Sequence, residues 1–385
     1  MTRTSGSIGG AVSVAALARI GVALPSVEAA SPAALLAWSA ARGRLRSGMA
    51  DAARIAFVGD SKTMGAGAGT GPGPGTAGAF ARARPARVSA LLAAGGLPIR
   101  ADAFFGCAGL ASIADVLIYD PRRSGFSGWG GGGNSLGGAA MSTNNSNPAQ
   151  FQPAGPVDRC SVFIRNGSDR PAFSVRKGGE SVPLTPSGPV GGFARLEVTF
   201  QARDANPIMV VRTGTTGNLQ LVGLVAWDSA RPGIEIVNFG VFGVTSTFQA
   251  DTTGPWSPAA ALATYAPHLT IVNLGTNDLA QKQPMANWLT NIRTIARQAR
   301  LTGSVILAWP AVGGTSPTGG GDSERAQWRT ALRALAFEID ALFVDEEALL
   351  GGRAVAQASG AFTDSLHESP WAYDVQAAAI ARAIL

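Results

Sequence analysis

Short apolar segments alternate with longer amphipathic segments in two parts of the chain, residues 31–119 and 233–385. The apolar segments have the length of buried strands, and the amphipathic segments have the spacing of helices. This alternation predicts an α/β fold with a parallel sheet and helices on both faces. Residues that bind ligands follow the carboxyl ends of the strands in such sheets. The predicted strands cover residues 55–59, 99–105, 234–237, 268–274, 305–309 and 342–344.

The pattern changes between residues 120 and 232, where short runs of alternating or β-branched residues are bounded by Gly, Pro and Asn. Because no helical pattern separates these runs, they predict an antiparallel β-sandwich inserted into the α/β domain. The insert divides that domain into a first part, 31–119, and a second part, 233–385. The β-rich runs cover residues 160–165, 172–176, 195–202, 208–212 and 219–227.

Residues 1–30 precede the first predicted helix and combine Arg3 with a stretch of small and apolar residues. They have the features of a secretory signal, with a small-residue cleavage site near residues 27–30. Arg19 interrupts the apolar stretch, so the alternative is a segment packed on the fold or used as an attachment arm. The first interpretation predicts a secreted or periplasmic protein, and the second a cytoplasmic or virion-associated one. No other stretch is apolar over the ~18 residues that a membrane span requires.

The chain has 31 lysines and arginines against 25 acidic residues, and its basic residues are scattered. Nucleic-acid sites concentrate basic residues, so we predict no nucleic-acid partner. Two cysteines, Cys107 and Cys160, and two histidines provide few ligands for a metal. The sequence therefore predicts no metal or cofactor, and it leaves open whether the cysteines pair and which oligomeric state the protein adopts.

The segment 55–65, IAFVGDSKTMG, places Ser61 directly after an apolar strand. Serine is a weak nucleophile unless a base accepts its proton. His367, in the segment DSLH, is the candidate base, and Asp364 precedes it by three residues. At that spacing Asp364 is able to accept from the imidazole Nδ1 while Nε2 faces the serine. His268 begins an apolar strand, so we expect it at the opposite end of the sheet, on the surface.

An acyl transition state also needs hydrogen-bond donors directed at the developing oxyanion. The Ser61 N–H is one candidate, and the Gly240 N–H at a strand end is a second. The side-chain amide of Asn277 is a third candidate, and Gly106, which also follows a strand, is the alternative to Gly240. Asp278 is expected to organise its loop by hydrogen bonding.

Four motifs resemble the conserved blocks of the SGNH hydrolase (GDSL esterase/lipase) superfamily, in the same order. They are GDS at 59–61, NFGVFG at 238–243, GTND at 275–278 and DSLH at 364–367. The resemblance covers residues 50–110 and 233–385 and implies a three-layer α/β/α, flavodoxin-like domain.

The resemblance also implies roles for single residues. Ser61 would be the nucleophile, His367 the base and Asp364 its orienter, with Gly240 and Asn277 completing the oxyanion hole. The chain departs from the family at Lys62, where leucine is usual. A cation there would bind an acidic substrate or point into solvent, so Lys62 is a candidate substrate-binding residue.

The β-rich insert resembles the jelly-roll-like modules that accompany carbohydrate-active SGNH esterases. Trp129, Trp227 and Phe193 are candidates for stacking on sugar rings. The alternative is that they are core or hinge residues, which the apolar strand around Trp227 favours. The glycine-rich segment 125–138 either shapes the cleft or acts as a linker.

These inferences predict a serine esterase that hydrolyses short acyl esters, with O-acetyl groups on a polysaccharide or glycan as substrates. An O-acyltransferase on the same scaffold is the first alternative, because the catalytic residues would be identical. A glycan-binding or phage-tail-like adhesion protein is the second, and the intact set of Ser61, Asp364, His367 and Asn277 argues against it.

Overall fold

The computed structural model describes residues 26–68, 79–100, 102–106, 113–312 and 321–385. Strands β1 to β17 are, in chain order, Val27–Ala29, Ala52–Gly59, Asp102–Phe105, Arg123–Ser124, Gly130–Ser135, Gly138–Thr143, Ala149–Phe151, Val157–Asn166, Phe173–Lys177, Glu180–Leu184, Gly192–Asp204, Ile208–Arg212, Leu219–Trp227, Gly233–Gly240, Leu269–Asn273, Ser304–Trp309 and Leu342–Asp345. Helices α1 to α13 are Leu36–Arg46, Ser61–Met64, Ala79–Arg82, Arg84–Ala94, Ile113–Tyr119, Ser246–Gln249, Pro258–Tyr265, Thr276–Ala280, Met285–Arg300, Asp322–Glu338, Glu346–Leu349, Arg353–Ala358 and Pro370–Ile384. A 3₁₀ helix, Pro32–Leu35, precedes α1.

A six-stranded sheet forms the centre of the α/β part, in the order β1-β17-β16-β15-β2-β14. The strands from β17 to β14 are parallel, and only the edge strand β1 is antiparallel to its neighbour. All residues of β15 and β16 are buried, as expected for parallel strands covered on both faces. The prediction of an α/β fold with a parallel sheet is confirmed.

Helices cover both faces of this sheet. One face carries α1, α4 and α13, whose apolar side chains pack on the strands through residues such as Trp38, Leu92 and Ile380. The other carries α7, α9 and α10, which contribute residues such as Leu262 and Ile292. The carboxyl ends of β2, β14 and β15 therefore meet at one edge of a rigid layered unit.

Two antiparallel sheets lie mostly between residues 123 and 227. One has the order β10-β9-β12-β7-β4, and the other has the order β11-β8-β13-β6-β5. Side chains from both sheets share one apolar core, which includes Phe151, Val175, Val162 and Leu224. The jelly-roll-like character of this region and its boundaries at residues 120 and 232 stay predictions.

Strand β3 differs from the sequence-based expectation. A single strand over 99–105 was expected in the parallel sheet, but only Ile99 bridges to Ile234, in parallel. Strand β3 instead pairs antiparallel with β13. Phe104 and Phe105 point to opposite faces of that strand, and each joins a different core cluster. The two large apolar side chains are thus buried on both sides of the antiparallel sheet, in two separate cores.

The residues around the expected cleavage site form part of the fold. Strand β1 pairs with β17 in the register Val27 to Val344, and Ser31 caps the 3₁₀ helix by accepting from the Ala33 N–H. Residues 1–25 of the expected signal segment lie outside the described residues. No helix in the described part of the chain is long and apolar enough to cross a membrane.

Candidate active site

The turn after β2 presents Ser61 at the carboxyl edge of the parallel sheet. Gly59 ends the strand, and a Cβ placed on it would lie 2.0 Å from Thr63 Oγ1 and 2.7 Å from the Asn273 carbonyl oxygen. Only glycine fits this close approach of chain segments. Asp60 then caps α2 by accepting from the Lys62 N–H at 3.0 Å. The short turn therefore fixes Ser61 as the first residue of α2.

Ser61, His367 and Asp364 form a hydrogen-bonded series across 306 residues of sequence separation. His367 Nε2 lies 3.1 Å from Ser61 Oγ, and His367 Nδ1 lies 2.8 Å from Asp364 Oδ2. The other oxygen of Asp364 accepts from the backbone N–H groups of Leu366 at 2.7 Å and His367 at 2.6 Å. The loop thus fixes both the carboxylate and the ring that it orients.

Further contacts favour the ionised Asp364 and hold the His367 ring. Burial opposes ionisation of Asp364, but hydrogen bonds from the His367 ring and from the two backbone N–H groups lower the pKa of this carboxyl. The ring of Phe242 stacks on His367, with centroids 6.1 Å apart and an angle of 21° between the planes. The carboxylate and the aromatic ring thus hold the imidazole with Nε2 directed at Ser61 Oγ.

Two glycine N–H groups that were expected to be oxyanion donors form hydrogen bonds with other groups of the protein. The Gly240 N–H donates to Asn238 Oδ1 at 2.9 Å, and the Gly106 N–H donates to the Val222 carbonyl at 3.1 Å. Gly240 lies against α2, since an added Cβ would be 2.2 Å from the Met64 nitrogen. Its small size is therefore needed for packing, and its N–H is taken up by Asn238.

The second glycine of the same motif, Gly243, lies between two residues that contact the site. Phe242 stacks on His367, and the Val244 carbonyl accepts from Asn277 Nδ2 at 2.7 Å. Gly243 has a φ of 74°, and a Cβ added there would meet no atom within 4 Å. Its N–H and that of Ser61 have no hydrogen-bond partner within the described ranges. The repetition of glycine in NFGVFG was the available signal, and sequence reasoning chose the first copy.

Asp278 organises its loop, as expected. Its carboxylate accepts from the Ser246 N–H at 3.1 Å and from the Ser246 hydroxyl at 2.6 Å. Asn291 Nδ2 in turn donates to Ser246 Oγ at 3.0 Å. Burial raises the pKa of Asp278 despite these hydrogen bonds. The contacts anchor the start of α6 to the start of α8, where Asn277 lies.

Lys62 neither reaches solvent nor faces a substrate, which corrects both expectations for it. Its side chain is fully buried, and Nζ donates to the carbonyls of Ala311 at 2.6 Å and Leu366 at 2.7 Å. Nζ also forms an ion pair with Glu368 at 3.0 Å. Leu366 and Glu368 flank His367, so Lys62 joins the helix that carries Ser61 to the loop that carries His367.

A buried network of charges extends behind this lysine. Arg84 Nη1 pairs with Glu346 at 3.0 Å, and Arg84 Nη2 donates to Gln376 at 2.9 Å and lies 4.0 Å from Glu368. Burial is the largest influence on Glu346 and raises its pKa to about 7. Burial likewise raises the pKa of Asp60 to about 7, against the opposing effect of Lys62.

Replacing Asp60 with asparagine is expected to weaken the pH dependence of stability. The folded state keeps the Asp60 proton up to about pH 7, whereas the unfolded carboxyl loses it near its ordinary pKa of 3.8. The stabilisation is therefore complete below that lower value and is lost as the pH rises towards 7. Asparagine keeps the helix cap but does not ionise.

The measurement is urea unfolding of both proteins at pH 5 and pH 8. The wild type should lose more unfolding free energy between these pH values than Asp60→Asn. Glu346 titrates in both proteins, so its contribution cancels in the comparison. Equal losses in the two proteins would contradict the shift assigned to Asp60.

The aromatic candidates for sugar stacking lie in the interior. Trp129 is 6% exposed, packs against Phe126, and donates from Nε1 to the Asn147 carbonyl at 3.0 Å. Trp227 is buried and Phe193 is half-buried against the core. All three aromatic residues therefore belong to the core, and the ring of Trp129 has no open face on which a sugar could stack.

His268 and Cys160 have no contact with Ser61. His268 precedes β15 at the amino end of the sheet, where Nδ1 accepts from the Arg54 N–H at 2.9 Å. Cys160 has a free, buried thiol, and its possible partner Cys107 lies outside the described residues. No cluster of three or more His, Cys, Asp or Glu side chains suited to a metal occurs among the residues described.

Residues 213–375 match the family model described as GDSL-like Lipase/Acylhydrolase family. The match includes Gly240, Gly243, Asn277, Asp364 and His367, and Ser61 lies before it. It confirms the SGNH resemblance inferred from the four motifs. Over these residues the chain is similar to GDSL-like lipases and acylhydrolases, which are carboxylic ester hydrolases.

Solved structures extend this similarity beyond the matched residues. A peptidoglycan O-acetylesterase is 17% identical, with a TM-score of 0.67 over 93% of this chain and 97% of that one. A family two carbohydrate esterase from Clostridium thermocellum is 12% identical, covers 64% and 94% of the two chains, and has a TM-score of 0.31. An acetylxylan esterase from Geobacillus stearothermophilus is 20% identical, covers 40% and 73%, and has a TM-score of 0.34. No curated protein sequence matches the chain significantly.

Proposed function

We propose that the protein hydrolyses acyl esters through an acyl-enzyme formed on Ser61. The observation that carries this proposal is the continuous series of hydrogen bonds from Ser61 Oγ through His367 to Asp364. A serine that shares a hydrogen bond with a carboxylate-oriented imidazole is activated for attack on a carbonyl carbon. The similarity to GDSL-like lipases and acylhydrolases supports the same reaction class.

The reaction then has two balanced halves. Ser61 Oγ bonds to the acyl carbon while its proton passes to His367 Nε2, and the ester bond to the alcohol breaks. His367 returns the proton to the departing alkoxide, which leaves as the alcohol. Water, with His367 as base, next attacks the acyl carbon, releases the carboxylic acid and restores the Ser61 hydroxyl. Asp364 stabilises the imidazolium in both halves.

The proposed oxyanion hole combines the N–H groups of Ser61 and Gly243 with the Asn277 amide. Gly243 replaces Gly240 because the Gly240 N–H is already donated to Asn238. The bond from Asn277 Nδ2 to Val244 holds the amide in place and leaves its second hydrogen for the substrate. Preorganised donors of this kind stabilise the charge without rearrangement during the reaction.

Replacing Asn277 with alanine is therefore expected to lower kcat by about 10²- to 10³-fold, with a smaller change in KM. The donor acts on charge that exists only in the transition state. The measurement is steady-state hydrolysis of p-nitrophenyl acetate, with Gln281→Ala, an exposed neighbour at the end of α8, as control. An unchanged kcat in Asn277→Ala would remove Asn277 from the oxyanion hole.

We further propose that the substrates are O-acetyl groups on a polysaccharide or glycan. The fold similarity to a peptidoglycan O-acetylesterase covers nearly the whole of both chains and supports this substrate class. The antiparallel region, proposed to span residues 120–232, would contribute to glycan recognition. Because acetylated wall glycans lie outside the cytoplasm, the proposal implies a secreted or periplasmic enzyme.

Two assays on the full chain test the function. Hydrolysis of p-nitrophenyl acetate, butyrate and octanoate should show the highest kcat/KM for acetate, and a serine-directed organophosphate should label wild type but not Ser61→Ala. Acetate release is then measured from O-acetylated peptidoglycan and acetylated xylan, with de-acetylated polymers as controls. A preference for octanoate, or organophosphate labelling that persists in Ser61→Ala, would contradict the proposal. Transfer of the acetyl group to an added sugar, without net release of acetate, would instead identify an acyltransferase.

A further inference from the structure

A second cavity lies at the opposite edge of the parallel sheet from Ser61. Its volume is about 670 Å³, within the range of ligand-binding pockets. It opens between the amino end of the α/β part and the antiparallel sheet that contains β8, β11 and β13. We call it the arginine cleft because five arginines line it, namely Arg44, Arg54, Arg100, Arg159 and Arg195.

The positive charge of the arginine cleft is only partly neutralised within the protein. Two acidic residues, Asp51 and Glu197, are the only carboxylates in its lining among the described residues. Glu197 pairs with Arg195 at 2.7 Å. Arg44 and Arg159 are exposed, and neither has a carboxylate partner in the part of the chain that the structure describes. An anion that enters the cleft therefore meets guanidinium groups with free donors.

A buried arginine at the cleft wall also has unused hydrogen-bonding capacity. Arg100 is 6% exposed and stacks over Trp227, with its guanidinium carbon 4.7 Å from the ring centroid. Glu235 is 3.7 Å from its Nη2, and Arg100 Nε has no hydrogen-bond partner among the described residues. A buried donor without a partner is costly, so a ligand or water bound here would satisfy it.

His268 also lines the cleft, and burial together with the same positive charges lowers its pKa. Its Nδ1 accepts from the Arg54 backbone N–H, which leaves Nε2 as a donor in the neutral ring. Burial lowers the pKa of His268 to about 4, and the nearby charges of Arg54 and Arg44 add to this effect. The cleft thus disfavours a further cation and favours an anion.

We propose that the arginine cleft binds the anionic groups of an acidic polysaccharide at a site separate from the catalytic serine. Guanidinium groups recognise carboxylate and phosphate through paired hydrogen bonds, so both carboxylated and phosphorylated glycans have the required chemistry. Single-stranded nucleic acids need open aromatic faces for stacking, whereas Trp227 is covered by Arg100 and the core. The choice of a polysaccharide as the ligand rests on the proposed esterase function. The recognition of anions by the arginine cleft does not depend on that function.

The position of the cleft gives it a role that a catalytic subsite would not have. Strand β2 has eight residues and separates the cleft, at Ala52 and Arg54, from Ser61. That length corresponds to roughly 25 Å. A polymer held there is retained near the enzyme while other parts of it reach Ser61. Small esters are too short to use the site.

The test measures binding by isothermal titration calorimetry with full-length Ser61→Ala protein, so that no turnover is involved. The polymers are polygalacturonate as the carboxylate source, inorganic polyphosphate as the phosphate source, single-stranded DNA as the competing polyanion, and neutral dextran as the uncharged control. Introducing Arg44→Gln and Arg159→Gln into the Ser61→Ala protein should weaken binding of the preferred polyanion about tenfold. The two substitutions remove two exposed ion pairs between the protein and the polymer. The matched control adds Arg176→Gln and Lys282→Gln, which remove the same charge from exposed positions outside the cleft. That control should change the affinity less than about twofold.

Each outcome decides a separate question. Cleft-dependent binding of polygalacturonate assigns a carboxylated glycan, and cleft-dependent binding of polyphosphate alone assigns a phosphorylated one. Equal losses in the cleft and control variants, or no binding of either polyanion, overturn the site. Tighter binding of single-stranded DNA than of both polyanions overturns the polysaccharide. Because p-nitrophenyl acetate hydrolysis by the otherwise wild-type Arg44→Gln/Arg159→Gln protein should be unchanged, failure of this proposal remains distinct from failure of the esterase proposal.

Discussion

Replacing His367 with alanine is expected to lower kcat for p-nitrophenyl acetate by about 10⁴- to 10⁶-fold. The imidazole is the only base within hydrogen-bond reach of Ser61 Oγ among the residues described, at 3.1 Å. Ser61→Ala should cause a loss of similar size, because the serine and its base act as one unit. The double variant should therefore be no slower than either single variant.

The carboxylate that orients this base permits a finer test. Asp364→Asn keeps an oxygen for the backbone N–H groups of Leu366 and His367 but loses the charge that stabilises the imidazolium. We expect it to lower kcat by about 10²- to 10⁴-fold. Ser365→Ala, an exposed change in the same loop, is the matched control and should retain wild-type kcat.

Full activity of His367→Ala would exclude His367 as the base, and additive losses in the double variant would contradict a shared role with Ser61.

Replacing Lys62 with methionine is the second change from which we expect a large effect. Methionine fills a similar volume but breaks the ion pair with Glu368 and the bonds to Ala311 and Leu366. Loss of one partner from a buried pair destabilises a protein by about 3–5 kcal/mol. Activity should fall as well, mainly in kcat, because the loop that holds His367 loses its connection to the helix of Ser61. Lys62 thereby acts as a positioning residue.

A double-mutant cycle separates the ion pair from simple loss of packing. Glu368→Gln removes the charge that Lys62→Met deprives of its nearest partner, and the side chain of Glu368 takes no part in the contact of Ser61 with His367. Urea unfolding of the four proteins should show that the double variant is more stable than the sum of the single effects predicts. Additive effects would mean that Lys62 and Glu368 do not interact energetically. Far-ultraviolet circular dichroism before each kinetic assay restricts the kcat comparison to folded protein.

The motif residues and the α/β alternation could be predicted from the sequence because both depend on local order. A buried parallel strand needs a continuous apolar run, and the run before Ser61 identifies the strand and its end without reference to other segments. The short spacing of Asp364 and His367 likewise permits their contact within one turn. Ser61, His367 and Asp364 could therefore be grouped from the sequence alone.

Only the tertiary structure determined where individual backbone N–H groups and the Lys62 side chain point. The sequence favoured Gly240 as an oxyanion donor, with Gly106 as the alternative, and only the fold shows that the Gly240 N–H donates to Asn238. Lys62 was expected to bind an acidic substrate or to point into solvent, whereas a cation can be buried only where partners satisfy it. Its partners, Glu368 and two carbonyl oxygens, lie 249 to 306 residues away in sequence.

The arginine cleft likewise assembles side chains from α1, β2, β8 and β11, which the sequence scatters. Charges that are distant along the chain become one site only when two layers pack together. That is why the scattered basic residues gave no signal by themselves, whereas the apolar strand that ends two residues before Ser61 did.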